Sequence, residues 1–469
     1  MSGHVAVPLF GHPYRRMPFS PQAYRPDTAI LSLGDAFYDP VAAADFPQTV
    51  LRFRNDRAAA QVGLANLTDD EWIAHLGRFA PLPGNLPQPL ALRYHGHQFR
   101  QYNPDLGDGR GFTFAQLRDD GGRLMDLGTK GSGQTPWSRA GDGRLTLKGG
   151  VREILATEML EALNVPTSRT LSLIETGEEL WRGDEPSPTR SAVMVRLSHG
   201  HIRIGSFQRL AYERDEASMR KLVSYVLRNL YGEDGDDPVR LLTHVVARTA
   251  TLAARYMAAG FVHGVLNTDN INVTGESFDY GPWRFAQVWD PAFTAAYFDH
   301  AGLYAFGRQP EAIGWNAMQL ASALRLIADS DPLIAALDDF AARFQRELAA
   351  AVLWRLGLAP VNDATDRATV RAVEQALRTT AVSVDRFFFD AFARADLPAT
   401  YGDGWDAVRT ALAAHPPRSD RRHPYWSGEP CGMAIEEVEA LWAPIAADDD
   451  WAPLMAKVGT IRAMAAALR

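Results

Sequence analysis

Between residues 91 and 210 the apolar positions come in short runs cut by glycine-rich turns, and from about residue 215 they recur at helical spacing. The runs at 112–117 and 124–127, joined by Asp119-Asp120-Gly121-Gly122, predict a β-hairpin with Lys130 just beyond its second strand. Val151, Ile154, Leu155, Leu160 and Leu163 fall close to one face and predict a helix over 151–163. Residues 170–175 and 192–197 read as further strands. Val245, Leu252 and Tyr256 predict a long helix over 241–259, ended by Gly260. A loop-and-strand stretch at 261–298, dense in Asp, Asn and Gly, follows it. Alanine-rich helices then fill 315–395, with further helix to 469. Upstream, residues 69–76 predict a short capped helix and 81–89 a turn-rich linker. The pattern predicts an α+β chain of two lobes. It divides into an N-terminal extension (1–90), a mixed β/α lobe (91–210), a mostly helical lobe (211–400) and a helical C-terminal region (401–469), with a ligand cleft between the lobes.

Composition narrows the partners. The 469 residues are 46% hydrophobic and 22% charged, ordinary for a globular chain. The net charge of −8 argues against nucleic acid as the main partner, because phosphate-backbone binding shows as a basic excess. Cys431 stands alone, which rules out an intrachain disulfide and a cysteine-rich zinc site. No apolar run approaches the ~18 residues of a membrane span, and the first forty residues lack the apolar core of a leader. A cytoplasmic protein without membrane contacts is expected. Of 48 basic residues only four are lysines: Lys130, Lys148, Lys221 and Lys457. A lysine kept inside a motif in so arginine-rich a chain suggests a compact point charge on a phosphate.

Five stretches carry candidate chemistry. In NPDLGDGRG (103–111), Gly107, Gly109 and Gly111 flank Asp108 and Arg110, which suits a backbone that closely approaches an anion. Lys130 is followed 23 residues later by Glu153 on the next helix, the order of the lysine–glutamate pair of kinases. SRAGDGR (138–144) adds a second glycine turn bearing Arg139, Asp142, Gly143 and Arg144. Arg196 and Arg203 follow a strand and could clamp phosphate oxygens. Most specific is HGVLNTDN (263–270), followed by Asp279-Tyr280-Gly281. Kinase-fold phosphotransferases carry His, then Asp two residues on, then Asn five further, then an Asp-x-Gly on the next hairpin. His263, Asn270 and Asp279 fit. The catalytic Asp position is Val265, which cannot accept a proton, and Asp269 is the substitute base. Asn270 and Asp279 are the candidate ligands of a hard cation, Mg²⁺ or Mn²⁺. His199, His201 and His263 read as structural, since no HExxH or similar spacing is present.

Taken in order, these residues resemble a known family. GHQF (96–99), LGDGRG (106–111), TKGSGQTPWSR (129–139), GDGR (141–144), VREILATEML (151–160), HIRIGSFQ (201–208), GFVHGVLNTDN (260–270), DYGP (279–282) and YAFGRQP (304–310) are similar to the motifs of bacterial selenoprotein O proteins, a pseudokinase-related family. The resemblance is specific over about residues 30–330 and looser beyond. It implies a protein-kinase-like fold that holds ATP inverted, with the α-phosphate facing the acceptor. AMP would pass to Ser, Thr or Tyr hydroxyls of proteins and pyrophosphate would leave. By the same resemblance Gly107, Gly109, Arg110, Lys130, Asp142, Gly143, Arg196, Arg203 and Asp279 contact the nucleotide. Glu153 supports Lys130, Asn270 and Asp279 bind the metal, and Asp269 is the base. The chain departs from the family at its C-terminus, where it ends AMAAALR without a selenocysteine or cysteine, and across 415–445. The competing readings are a kinase-like phosphotransferase, which Val265 opposes, and a non-catalytic ATP-binding scaffold, which the complete charged set opposes.

Overall fold

The computed structural model describes residues 23–183, 185–394 and 396–469. Most of the stretch expected to lack a leader lies outside them. Thirteen strands are described: β1 (Pro26–Asp27), β2 (Tyr38–Pro40), β3 (Val50–Arg54), β4 (Leu90–Leu92), β5 (Gly96–Gln98), β6 (Gln101–Asn103), β7 (Thr113–Arg118), β8 (Leu124–Lys130), β9 (Leu145–Thr146), β10 (Arg169–Leu180), β11 (Thr189–Ser198), β12 (Phe261–Val262) and β13 (Arg284–Phe285). The α-helices are α1 (Asp56–Ala60), α2 (Asp69–Leu76), α3 (Leu147–Ala162), α4 (Ile204–Glu213), α5 (Glu216–Val226), α6 (Pro238–Ala259), α7 (Gln309–Leu324), α8 (Ser330–Arg355), α9 (Asp363–Thr379), α10 (Val384–Asp390), α11 (Asp406–Ala413), α12 (Ile435–Asp448) and α13 (Ala452–Leu468).

Helix and strand content is mixed, and nine of the thirteen described strands form one large antiparallel sheet in the order β2-β4-β7-β8-β11-β10-β3, with β1 on β7 and β9 on β11, while β5–β6 and β12–β13 pair separately. The 112–127 hairpin closes as β7–β8, with Leu117 opposite Met125. Lys130 is the last residue of β8 rather than a residue beyond it. Three strands from the segment read as an N-terminal extension, β1, β2 and β3, belong to this same sheet. The apolar alternation explains its two covers. Phe112, Phe114, Met125, Leu127, Val193 and Val195 face a cluster built around Trp72 and Leu76 of α2. Leu124, Ala192 and Met194 face the other way, onto Val151, Leu155 and Met159 of α3. α2 starts where Thr68 accepts from Glu71 N–H and Glu71 reaches back to Thr68, a capping box.

The helical half is organised by α6, which packs on α7 and α8. Its start is set by Asp237, whose carboxylate accepts from the N–H groups of Val239 and Arg240, and by Pro238 in the first turn. It stops at Gly260, in the left-handed region at φ +69°. α12 and α13 return to α3. Arg462 of α13 makes a two-pronged bond to Glu158 of α3 at 2.9 and 2.7 Å. Among the described residues no helix is long and apolar enough to cross a membrane.

Candidate active site

One cleft of about 710 Å³ opens between the sheet and the loops that follow α6. Gly107, Gly109, Arg110, Lys130, Asp142, Gly143, Arg196, Arg203, Asp269, Asn270 and Asp279 all line it. Glu153 sits directly behind, buried on α3, with its carboxylate 2.6 Å from Lys130 Nζ. The antiparallel register brings the first two cations together. Met194 of β11 pairs with Lys130 of β8, and Arg196 pairs with Gly128, so Lys130 and Arg196 share the face turned to α3.

Three buried cations converge on one carboxylate. Arg196 donates to Asp279 Oδ1 at 2.7 Å, Arg203 donates to Oδ2 at 3.2 Å, and Lys130 Nζ lies 3.9 Å from Oδ1. Burial alone would lift the Asp279 carboxyl, but Arg196, Arg203 and Lys130 outweigh it and hold it well below the usual carboxylate range. Burial pushes the Lys130 amine down, opposed by Glu153. The Arg203 guanidinium has further anchors. It donates to Asp108 Oδ1 at 3.2 Å and to the Asp269 carbonyl at 2.9 Å, and it lies over the rings of Tyr94 and Phe278 at 4.3 and 4.8 Å. Asp108 is itself fixed by Leu92 N–H at 3.0 Å. Asp279 has φ +61°, a left-handed conformation unusual for a residue with a Cβ and found where surrounding contacts over-determine it.

Asp269 and Asn270 lie on a single 3₁₀ turn, Thr268–Asn270. This turn is tied down from both sides. Ile204 N–H donates to Ile271 O and Val273 N–H to Ile202 O, each at 3.0 Å, linking it to the segment that carries Arg203. From the β5–β6 hairpin, His97 N–H donates to Thr268 Oγ1 at 2.7 Å and Phe99 N–H to Asn267 Oδ1 at 3.1 Å. Asp269 is buried, and its Oδ1 has no hydrogen-bond partner. Burial pushes its carboxyl up to about 6, with Arg203 pulling the other way. Asn270 commits its amide nitrogen to Val265 O at 3.0 Å, which leaves the amide oxygen for a ligand. His263 is buried, accepts from Val265 N–H, and its Nε2 bonds Phe278 O at 3.0 Å. It therefore joins the Asp269 loop to the Asp279 loop, a structural role.

The two glycine turns interlock over the cleft mouth. A Cβ on Gly107 would stand 2.4 Å from Trp137 Cγ, so the indole closes on the loop only because residue 107 has no side chain. Trp137 is held in turn by Asp39, which accepts from its Nε1 at 2.9 Å. Gly143 has φ +70°, and a Cβ there would stand 2.2 Å from Gly133 O. Asp142 accepts two bonds from Arg182, at 2.8 and 3.1 Å, at the cleft rim. Sequence reasoning overlooked Asp108 as the partner of Arg203, Trp137 as the lid on Gly107, and the β5–β6 hairpin as the brace of Asp269. The last was legible only as the GHQF motif.

The donors suit a hard cation. Among the described residues no group of three or more His, Cys, Asp or Glu forms a complete metal cage. Asn270 and Asp279 offer oxygen donors on facing loops, the sparse protein set of a cation that takes further ligands from a bound phosphate.

An α+β chain whose cleft gathers cations and glycine loops opposite a carboxylate–amide donor pair belongs to the class of proteins that hold a polyphosphate and a hard cation. The comparisons with known proteins name a protein nucleotidyltransferase. A family model described as protein adenylyltransferase SelO matches residues 19–404. A protein nucleotidyltransferase YdiU of Synechococcus elongatus is 44% identical over 477 residues, covering 95% of this chain and 95% of that one. Proteins of the same name from Gloeobacter violaceus (466 residues, 93% of this chain, 94% of that one) and a Synechocystis species (474 residues, 93% and 97%) are each 43% identical. The chain belongs to the SelO family.

Proposed function

We propose that this protein is an adenylyltransferase that moves AMP from ATP to Ser, Thr or Tyr hydroxyls of other proteins and releases pyrophosphate. In this reading residues 91–210 form the nucleotide-binding lobe and 211–400 the catalytic lobe of a two-lobed protein-kinase-like fold, and the protein works in the cytoplasm, where its lone buried thiol needs no partner. One observation carries the proposal. Val265, at the position of the usual kinase base, lines the cleft as an inert side chain, while Asp269 brings a buried carboxylate to the same cleft, one of its oxygens without a hydrogen-bond partner among the described residues.

The chemistry follows from the charges. Asp269 takes the proton of the acceptor hydroxyl, and the freed oxygen attacks the α-phosphorus. The bond from that phosphorus to the bridging oxygen breaks, and its electron pair leaves with pyrophosphate. Lys130, held in place by Glu153, and Arg110, Arg196 and Arg203 bind the phosphates, and preorganised charge of this kind commonly contributes several kcal/mol in a closed cleft, of order 3 for a single donor. Gly107, Gly109 and Gly143 let the backbone come close, with Asp142 and Arg182 at the rim. Asn270 and Asp279 would hold Mg²⁺ or Mn²⁺, which would neutralise phosphate charge and orient the phosphates.

Label transfer tests it. Protein and acceptor are incubated with ATP and magnesium or manganese, labelled in parallel at the α- and γ-phosphate. Only α-label becomes protein-bound, and Asp279→Ala abolishes it. Asp269→Asn binds ATP but loses about 10²–10⁴ in rate, the usual contribution of a general base. Transfer of γ-label refutes the proposal in favour of a phosphotransferase.

A further inference from the structure

The cleft holds two kinds of cation. Lys130, Arg196 and Arg203 are buried and already engaged by Glu153, Asp279 and Asp108. Arg144 and Arg182 are engaged at the rim by Glu178 and Asp142. Arg110 and Arg139 differ. Both line the cleft, both are exposed, and neither makes a side-chain hydrogen bond, ion pair or ring contact among the described residues. Both stand on the interlocked glycine turns, and the cleft they line is the one lined by Lys130 and Asp269.

The turn that carries Arg139 is built to hold it there. Thr135 N–H donates to Ser138 Oγ at 2.8 Å, Thr135 Oγ1 donates to Asp108 O at 2.5 Å, and Gly141 N–H donates to Ser138 O at 2.8 Å. Ser138 Oγ also bonds Gly109 O, which fastens this turn to the first glycine loop. Within this frame Arg139 sits at φ +53°, in the left-handed region, although Gly141 is only two residues away. An arginine kept where glycine would be unstrained marks a demand for the side chain, since such conformations cost of order 1 kcal/mol or more and persist where function or packing requires them.

We propose that Arg139 is a catalytic residue for the transfer step. Its guanidinium contacts the phosphoryl group in transit on the Asp269 side of the cleft and neutralises charge on the non-bridging oxygens as the acceptor oxygen bonds to phosphorus. Arg110 serves the departing phosphates on the Lys130 side. Arg139 forms and breaks no covalent bond: the hydroxyl proton goes to Asp269 and the bridging electron pair leaves with pyrophosphate. A planar fork with five donors suits a phosphoryl group better than an ammonium does. This role rests on the adenylyl-transfer reading.

The test separates rate from binding. Arg139→Ala and Arg139→Lys are assayed for α-label transfer at saturating ATP, and ATP affinity is measured by titration of each protein. Arg139→Ala lowers kcat about 10²–10³-fold, the loss that follows removal of one oxyanion-stabilising donor. Its ATP affinity changes by less than roughly threefold, because the contact forms in the transition state rather than the ground state. Arg139→Lys recovers part of the rate. Since the side chain is exposed and unpaired, urea denaturation of both variants overlays that of the unaltered protein. An unchanged kcat in Arg139→Ala overturns the role, whatever happens to affinity. Unaltered protein that transfers γ-label instead overturns the adenylyl-transfer reading, and this role with it.

Discussion

Removing Glu153 while leaving Lys130 gives the sharpest test of the buried charge network. The pair is 2.6 Å apart, and the two side chains are 5% and 1% exposed. At an effective dielectric of 20 a pair at that distance interacts by about 6 kcal/mol, an upper figure before desolvation. Breaking a buried pair by deleting one partner typically costs about 3–5 kcal/mol, because the survivor is left without compensation. Glu153→Gln preserves shape and removes only charge, so a loss of about 3–5 kcal/mol in urea-induced unfolding is expected. A second effect accompanies it. Burial already drives the Lys130 amine down and Glu153 is the largest opposing influence, so without Glu153 the amine sheds its proton more readily and its grip on phosphate weakens. ATP affinity and α-label transfer therefore both fall. The converse variant, Lys130→Met, is milder for stability, because Glu153 retains Arg196 Nη1 at 3.5 Å. Unfolding of both single variants and the double variant closes a cycle that isolates the pair. Glu153→Gln within about 1 kcal/mol of the unaltered protein, or Lys130→Met costing more than Glu153→Gln, would refute the reasoning.

Two further outcomes are expected. Glu276 is buried and accepts from His199 N–H at 2.6 Å, and burial raises its carboxyl from 4.5 to about 7. A group whose pKa is higher in the folded state favours folding fully below 4.5 and loses that contribution as pH rises through 7. The total is about 3 kcal/mol, and Glu276→Gln, which keeps an acceptor for His199, flattens the fall in unfolding free energy between pH 5 and pH 8. Gly107→Ala drives a Cβ to 2.4 Å from Trp137 Cγ, so it costs about 1–3 kcal/mol of stability and weakens ATP binding, both measurable by denaturation and titration.

The sequence announced those parts of the molecule whose signals are local. The capped helix over 69–76, the stop at Gly260 and the β7–β8 hairpin each reside within a few consecutive residues, and the structure has elements there. The shortest strands of the sheet were silent for the converse reason. β1, β2, β4 and β9 are two or three residues long, too short for period-two alternation to register. Their membership depends on partners far along the chain, as when Pro26 pairs with Leu117. The β5–β6 turn was illegible in another way. Phe99 and Arg100 both have positive φ, at 48° and 64°, where two-residue hairpins ordinarily use Asn-Gly, so no turn residue marks it.

The candidate site divides along the same line. Lys130 stood out because lysine is scarce, and the Asp-Asn-Asp set because its spacing is rare. What the sequence could not disclose is which charges are already spent. Arg196 and Arg203 look in the chain like free phosphate clamps, yet each is bound to Asp279, and Arg203 also to Asp108. In the proposed reading a triphosphate entering the cleft meets arginines that carboxylates have already oriented, so they bind its phosphates without having to fold around the ligand. Among the described residues, the cleft groups left without a partner are Arg110, Arg139 and one carboxylate oxygen of Asp269. In the proposed reading the base is Asp269 for a physical reason. A carboxylate at position 265 would stand three residues before the Thr268–Asn270 turn that the β5–β6 hairpin braces, whereas Asp269 lies within it, buried beside Gly96, where a Cβ would stand 3.1 Å from its Oδ1. The hairpin packs closely on Asp269, and burial lifts its carboxyl to about 6, which in the proposed reading makes an ordinary aspartate basic enough to take a proton from a hydroxyl.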